Sequence, residues 1–440
     1  MRRMLLMALL LALIVPSGRA SAQAFSARRM AMGGVVLAGG GPGSDASNVA
    51  YRAVPAAAGS GSGITLPIGL IPVIADPPEL DPDQPDFNIY ELANLLYNPP
   101  WNLQLVSPSA PSSDITIVVA KNRLAVDLGE VKDVFPEGHS RIGVVNGSPA
   151  IGFGIRRFFV AVAPLVHYEN DLSLNDPLQR AIHGEEFQIL TQYAMLDQAL
   201  GQAAAGVQLG WAGALVKHGD PRGRGGSGLY AGARVKVLRG LAYADADNVV
   251  SFTTRDTLFA ADPVDLQYTG HFRDTGPQGG RLGRGLDLGA VWLLGGLELG
   301  LGVNDVFTRL DWRVRESVVT SDSATGEYVQ QVVARDQALT STVPVTVTAN
   351  AATRLGRFLV AADVVRGIHA TLVHGGAEVW LGRLALRAGA SLDANRMAQA
   401  SGGAGVRRGR FGLDAAVATH SRNLSRERGV ELGVGLAFYH

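Results

Sequence analysis

The chain has 440 residues, with 39 basic and 39 acidic side chains and no cysteine. Because the charges balance, the chain lacks the basic excess of a nucleic-acid-binding protein, and we expect no nucleic-acid partner. The absence of cysteine excludes disulfides, so packing and hydrogen bonding must stabilise the fold. Glycine occupies 55 positions and aromatic residues make up only 7% of the chain, which together with short alternating segments is typical of transmembrane β-barrels.

The first 22 residues have the three parts of a cleaved export signal. Arg2 and Arg3 supply the positive start, residues 4–15 form an uninterrupted apolar run, and residues 20–22 (Ala-Ser-Ala) match the cleavage pattern. We therefore expect an exported protein that begins at Gln23. No later run approaches the ~18 apolar residues of a spanning helix, which excludes a helical inner-membrane protein.

Three segments do not show strand-like alternation. Residues 25–51 are small, Gly-rich and mildly polar, and residues 55–111 are dense in proline, which central strands exclude. We interpret both as plug, linker or loop material. In residues 187–203 the apolar side chains follow a helical spacing, which predicts a helix in an extracellular loop or against the barrel rim. The predicted division is signal peptide 1–22, N-terminal plug segment 23–55, Pro-rich linker or insertion 56–139, and barrel 140–440.

Period-two alternation is cleanest in the C-terminal half. In residues 297–304, leucine and valine at odd positions oppose Glu298, two glycines and Asn304. Residues 286–292 alternate in the same way, and the intervening Gly295-Gly296 is a hairpin-turn signal. Similar strands end the chain. A soluble β-sandwich would also alternate, but the small inward residues would leave its core full of holes, so we predict an all-β, antiparallel transmembrane barrel of roughly fourteen to sixteen strands.

Ionisable side chains fall on the predicted inner face of these strands. A charge inside a barrel is costly unless it is paired or hydrated, so these residues should pair across strands and with the plug, or else line a hydrated ligand path. The aromatic side chains near strand ends, Trp292, Trp312, Trp380 and Tyr439, are candidates for an interfacial girdle. The predicted lumen residues are Asp287, Glu298, Glu378, Arg387, Asp414 and Glu431.

The start of the mature chain resembles a known family. Residues 26–34 (Ser-Ala-Arg-Arg-Met-Ala-Met-Gly-Gly), followed by Asp45-Ala46-Ser47 and Tyr51, resemble the N-terminal signature of FadL/PorV-like outer-membrane barrels. Residues 285–290, 299–305, 376–378 and 384–389 are similar to that family's later strands. The chain departs from the pattern where residues 52–55 (Arg-Ala-Val-Pro) replace the family's Asn-Pro-Ala. The resemblance implies a barrel of about fourteen strands with a lumen plug that includes Arg28, Arg29, Met32, Gly33, Gly34, Asp45 and Tyr51.

Competing chemical motifs are weak. Residues 39–46 contain a G-x-G-x-x-A turn, but Pro42 and the missing βαβ unit argue against a dinucleotide site. His369 and His374 would face opposite sides of a strand, and no paired-histidine motif occurs. We therefore predict no cofactor, no metal site and no catalytic residue.

The resemblance leaves two functions open. One branch of the family implies uptake of hydrophobic or amphipathic small molecules through a plugged channel, and this is our main hypothesis. The other implies a scaffold or shuttle that serves a secretion system without transport. An outer-membrane lipid-modifying enzyme is a weaker alternative. The expected location is the outer membrane of a Gram-negative-type cell, with outer-membrane lipids, the barrel assembly machinery and a hydrophobic small molecule as partners.

Overall fold

The computed structural model of the chain describes most of the predicted barrel and parts of the region before it. The signal peptide and Gln23 lie outside the described residues. The described residues are 26–35, 45–56, 61–66, 68–75, 103–106, 116–120, 123–127, 139–147, 151–223, 225–257, 264–275, 280–321, 328–367, 371–392, 398–419 and 430–439.

Strands dominate the described part of the chain, and its helices are short. The helices are α1 (Ala27–Ala31), α2 (Leu70–Ala75), α3 (Asp176–Ile182) and a 3-10 helix at Val49–Ala53. No helix among the described residues is long and apolar enough to cross a membrane. The strands are β1 (Gly61–Leu66), β2 (Leu103–Val106), β3 (Thr116–Ala120), β4 (Arg123–Asp127), β5 (His139–Gly147), β6 (Ile151–Ile155), β7 (Phe158–Leu174), β8 (Gln192–His218), β9 (Ser227–Thr254), β10 (Val264–Asp274), β11 (Leu282–Leu294), β12 (Leu297–Ser321), β13 (Tyr328–Thr342), β14 (Thr346–Leu355), β15 (Phe358–Arg366), β16 (Thr371–Leu381), β17 (Leu384–Leu392), β18 (Ala398–Arg408), β19 (Phe411–Thr419) and β20 (Val430–Tyr439).

Eighteen of these strands form one antiparallel sheet, and β3 and β4 form a separate hairpin. Four positions of the sheet are each filled by two shorter strands in succession: β1 and β2 beside β20, β5 and β6 beside β7, β10 and β11 beside β9, and β13 and β14 beside β12. The described part of the sheet therefore has fourteen strand positions. This confirms the predicted antiparallel barrel and its approximate strand number.

The sheet curves around the N-terminal segment, which we define as residues 26–35 and 45–56. Helix α1 contacts β17 to β20 and β1, whereas the 3-10 helix contacts β8, β9 and β11, on the far side of the strand order. One short segment touches both regions only because the sheet wraps around it. The face that contacts this segment is therefore the inside of the barrel.

The outward face is apolar over the height of the shorter strands. In β15, exposed and buried residues alternate without interruption, with Phe358, Val360 and Val364 outside and Leu359 and Val365 inside. The strands β14 to β20 have 9 to 11 residues each, the length that a tilted strand needs to span a bilayer. A surface of exposed leucine, valine and phenylalanine at this height is stable only in lipid.

The two ends of the barrel differ. At one end, which we call the short-turn end, residues 156–157, 295–296, 356–357, 382–383 and 409–410 join neighbouring strands in two-residue turns. Residues 219–226, between β8 and β9, are a longer connection at this same end, and connections of four or more residues join neighbouring strands at the opposite, long-loop end. There β8, β9 and β12 rise well above the others, with 27, 28 and 25 residues.

The predicted helix at residues 187–203 is wrong. Residues from Gln192 onward belong to β8, which pairs with β7 on one edge and with β9 on the other. Two continuous ladders of backbone hydrogen bonds outweigh a local helical spacing. Tyr193, one of the residues that gave the helical pattern, stacks on Phe252 of the neighbouring strand with ring centroids 4.9 Å apart.

Two of the proposed girdle aromatics face inward. Trp312 is fully buried inside the barrel and donates a hydrogen bond from its indole N–H to Ser341 Oγ at 2.7 Å. The indole N–H of Trp380 donates to Glu378 Oε1 at 3.0 Å, which places this ring on the inner face. Trp292 is exposed on the outer face near the short-turn end, as a girdle residue should be. The side chain of Tyr439 lies outside the described residues.

Candidate functional site

The N-terminal segment fills the interior near the short-turn end. All five residues of α1 are buried, and so are Val49, Ala50 and Tyr51 of the 3-10 helix. Such a short helix cannot be stable on its own. Its conformation therefore depends on the surrounding strands, and those contacts form the candidate site.

Buried ion pairs hold α1 to the inner face of the barrel strands, which we call the wall. The Arg28 guanidinium donates to both carboxylate oxygens of Glu378, at 2.8 and 2.6 Å. Arg387 donates to Glu378 at 2.7 Å and to Asp414, also at 2.7 Å. Two arginines and two carboxylates thus alternate, and their charges balance. Planar guanidinium groups suit this arrangement because each can bind more than one carboxylate oxygen.

Glycine allows the backbone of the segment to touch the wall. Gly33 and Gly34 have φ angles of 75° and 84°, a region that residues with a Cβ rarely adopt. On the wall, a Cβ at Gly376 would lie 2.4 Å from Met32 O, and one at Gly389 would lie 2.1 Å from Met32 C. The backbone N–H of Gly33 donates to Ser401 Oγ at 2.9 Å.

Further charges surround Arg29. Burial lowers the pKa of Arg29 to about 10, and the nearby Asp363 carboxylate acts in the opposite direction. The guanidinium therefore remains protonated at neutral pH. Asp363 Oδ1 also lies 2.6 Å from His374 Nδ1, and a Cβ at Gly34 would lie 3.3 Å from the His374 ring.

The 3-10 helix is held by polar contacts on the opposite wall. Asn48 accepts a hydrogen bond from the Ala50 N–H at 3.0 Å and donates to Ala290 O at 3.0 Å. Asn350 donates to the Tyr51 hydroxyl at 2.5 Å. Asp45 lies 3.4 Å from Arg52. These contacts fix the second half of the segment independently of the Arg28 ion pairs.

Asp287 lies at the centre of a second buried cluster. Its carboxylate is 2.7 Å from Arg234 and 2.8 Å from Lys236, and it accepts a hydrogen bond from the Asp305 N–H at 2.9 Å. Lys236 also contacts Asp305 at 2.8 Å. Asp305 has a φ of 63° within a bulge of β12. Strand alternation predicted Asp287 but not its three partners, although Arg234 and Lys236 alternate on β9 in the inward phase.

The remaining predicted lumen residues are also buried. Glu298 lies 3.0 Å from Arg222, whose Nε donates to Pro55 O at 2.6 Å, at the end of the N-terminal segment. Glu431 lies near the long-loop end of β20, opposite Ala418. The six predicted residues therefore do not form one site: three lie beside α1, two lie along the opposite wall, and one lies higher.

An apolar cluster that no sequence pattern indicated lies inside the barrel, on the long-loop side of the N-terminal segment. We call it the inner apolar cluster, and its ring-bearing residues Tyr243 and Trp312 have centroids 5.3 Å apart. Polar side chains border it: Ser341 donates to Gln202, and Gln202 contacts His167 Nδ1 at 2.6 Å. Its buried members are Leu165, Ala204, Leu238, Tyr243, Leu310, Trp312, Val314 and Val343.

Comparisons with known proteins give weak similarities in structure alone. No family model and no curated protein matches the chain. The toluene transporter TbuX of Ralstonia pickettii is 12% identical, with 70% of this chain and 91% of that one covered at a TM-score of 0.31. The toluene transporter TodX of Pseudomonas putida is 12% identical, with 69% and 89% covered at a TM-score of 0.27. The fold described above rests on the strand pairing itself.

Proposed function

We propose that the protein is an outer-membrane channel for hydrophobic or amphipathic small molecules, with the N-terminal segment as its plug. The observation that carries this proposal is the burial of that segment inside the barrel, where a bidentate Arg28–Glu378 ion pair and close glycine contacts hold it. A segment in this position blocks the interior near the short-turn end. Passage through the barrel then requires the segment to shift.

The inner apolar cluster supports a hydrophobic ligand. Channels for polar solutes have polar, water-filled interiors, whereas this interior buries leucine, valine and tryptophan side chains above the plug. A ligand that enters from the long-loop end would meet these residues before it meets α1. Because these side chains are already packed against one another, a hydrocarbon chain or ring would bind by replacing some of their mutual contacts, which an apolar ligand can do without burying an unpaired polar group.

A reversible disulfide between plug and wall tests this function. The methyl groups of Ala31 and Ala416 pack in one buried cluster, and the chain has no other cysteine to compete. We expect Gram-negative cells with the Ala31→Cys/Ala416→Cys protein to lose oleate and toluene uptake upon oxidation and to regain it upon reduction. Each single variant should take up both probes as the wild type does. Uptake at the wild-type rate with the disulfide formed would contradict a moving plug.

A scaffold role is the second candidate, and strand β13 favours it. Nearly all of its 15 residues are exposed, on both faces, and among the described residues β13 pairs along one edge only, with β12. Such an edge can accept an extended segment of another protein by backbone hydrogen bonding. If the protein is a scaffold without transport, cells that express it will take up oleate and toluene no faster than cells without it.

A further inference from the structure

Three arginines on the outside of the barrel form a cluster that the transport proposal does not use. Arg239, Arg284 and Arg309 lie on the adjacent strands β9, β11 and β12, and all three are exposed on the outer face. Arg284 and Arg309 are direct cross-strand partners. Arg239 is opposite Leu282, and it is therefore a diagonal neighbour of Arg284.

Like charges in this arrangement repel. Directly opposed residues of an antiparallel pair have Cβ atoms about 5 Å apart and diagonal neighbours about 7 Å apart, and like charges so placed destabilise a sheet. The acid next to them on this face is Asp311, which already accepts a hydrogen bond from the Thr340 hydroxyl at 2.7 Å. Within the described part of the chain, none of the three arginines has a carboxylate within 4 Å.

The next arginines along β12 show the contrast. Arg313 lies 3.4 Å from Asp336, and Arg315 lies 2.8 Å from Asp274. Above the membrane-facing surface, therefore, the chain supplies a carboxylate for each of these two exposed arginines of β12. The described part of the chain supplies no such carboxylate for Arg309. We therefore expect its partner to be an anion from outside the protein.

The height of the cluster indicates which anion this is. Between the cluster and the short-turn end, on the same three strands, the outward residues Val237, Leu288 and Leu301 form part of the apolar surface. Phe307, two residues before Arg309, is 76% exposed and has a φ of 53°. The backbone of β12 is strained at this bulge, and it directs the aromatic side chain outward, where acyl chains would contact it. The arginines lie at the edge of this surface, at the level of lipid headgroups.

We propose that Arg239, Arg284 and Arg309 bind the phosphate of an anionic lipid in the leaflet at the long-loop end, with Phe307 in contact with its acyl chains. Guanidinium groups donate paired hydrogen bonds to phosphate oxygens. One phosphate between two or three arginines replaces their mutual repulsion with attraction. The bound lipid would then stabilise the paired strands β9, β11 and β12 at this height.

Thermal unfolding of the purified full-length protein tests this site. Because Arg284→Gln removes repulsion, we expect its unfolding midpoint in a neutral detergent to equal or exceed that of the wild type. With diphosphoryl lipid A or phosphatidylglycerol added, the wild-type midpoint should rise and that of the variant should rise much less. A variant that is less stable than the wild type by the same amount in both conditions would overturn the proposal.

Direct binding and a matched control complete the test. We expect Arg284→Gln/Arg309→Gln to bind diphosphoryl lipid A about tenfold or more weakly than the wild type, as measured by native mass spectrometry. Arg366→Gln should bind as the wild type does, because Arg366 is exposed on the outer face of β15 opposite Val347 and Thr371, with no second arginine. Equal losses in both variants would contradict a specific site.

Two further measurements distinguish a lipid site from a free-anion site. If inorganic phosphate raises the wild-type midpoint as much as the lipids do, the cluster binds free anions and the lipid proposal fails. Dephosphorylated lipid A should leave the midpoint unchanged.

Oleate and toluene uptake by the double variant should match that of the wild type, so a failure of the lipid site does not count against the proposed transport.

Discussion

Glu378 holds one negative charge between two buried guanidinium groups. Its carboxylate binds Arg28 of the N-terminal segment and Arg387 of the neighbouring strand, and its side chain is completely buried. Loss of one partner from a buried ion pair leaves an uncompensated charge, which costs far more than loss of the same contact at the surface. Glu378 therefore joins the N-terminal segment to the strands of the barrel at the scale of a single residue.

We predict that Glu378→Gln destabilises the protein by about 3–5 kcal/mol, as measured by urea unfolding of the protein in lipid vesicles. The control is Glu185→Gln, which breaks the exposed Arg180–Glu185 pair and should change the free energy of unfolding by less than about 1 kcal/mol. Similar effects of the two substitutions would show that the buried network contributes little.

The inward position of the charged residues on the strands could be predicted from sequence, whereas the specific pairs that they form could not. Glu378, Arg387 and Asp414 occupy the inward phase of alternating strands, so local periodicity alone places them inside. Arg28 meets Glu378 across 350 residues of chain, and no local pattern reports such a contact. Trp312 shows the reverse error, because a large aromatic residue near a strand end suggested the membrane interface and instead fills the interior.

At the scale of elements, the contact between the N-terminal segment and β16 depends on one glycine of an adjacent pair. A Cβ at Gly376 would lie 2.4 Å from Met32 O, whereas a Cβ at Gly375 would have no neighbour within 4 Å. The two positions have the same residue type on the same strand. They differ in what an added Cβ would meet, because it would run into the N-terminal segment at Gly376 but enter open space at Gly375.

We predict that Gly376→Ala displaces the plug and raises the conductance of the barrel in planar lipid bilayers, because the added methyl group cannot fit against the Met32 backbone. Gly375→Ala should leave the conductance at the wild-type level. Both variants should still fold, as judged by heat-modifiable electrophoretic mobility, since the strand pairing of β16 is unchanged. Equal conductance of the two variants would mean that Met32 does not help to close the barrel.

The strands and the short turns were predictable because their signals are local. Alternation with period two and the Gly295-Gly296 turn define β11 and β12 without any knowledge of their neighbours. In β8 the local signal failed. Its apolar spacing matched a helix, but pairing with β7 and β9 decided the outcome, and such pairing is a property of the assembled sheet.

At the scale of the whole molecule, the barrel has one low side and one tall side. The strands β14 to β20 are only long enough to cross a bilayer, whereas β8, β9 and β12 extend far past it at the long-loop end. In transmembrane barrels of the bacterial outer membrane, short turns face the periplasm and long loops face the exterior. The extended parts of β8, β9 and β12, the exposed strand β13 and the arginine cluster should therefore all be on the outside of the cell.

Cysteine labelling of intact cells tests this orientation, and the chain has no natural cysteine to give a background signal. We predict that a membrane-impermeant maleimide labels Gln331→Cys, an exposed position on β13. Arg383→Cys lies in an exposed turn at the short-turn end and should react only after the outer membrane is permeabilised. Leu301→Cys, on the lipid-facing surface, should stay unlabelled in both conditions, because the thiol is shielded by acyl chains and remains protonated there. Labelling of Arg383→Cys in intact cells, with Gln331→Cys protected, would reverse the orientation and place the plug at the extracellular entrance.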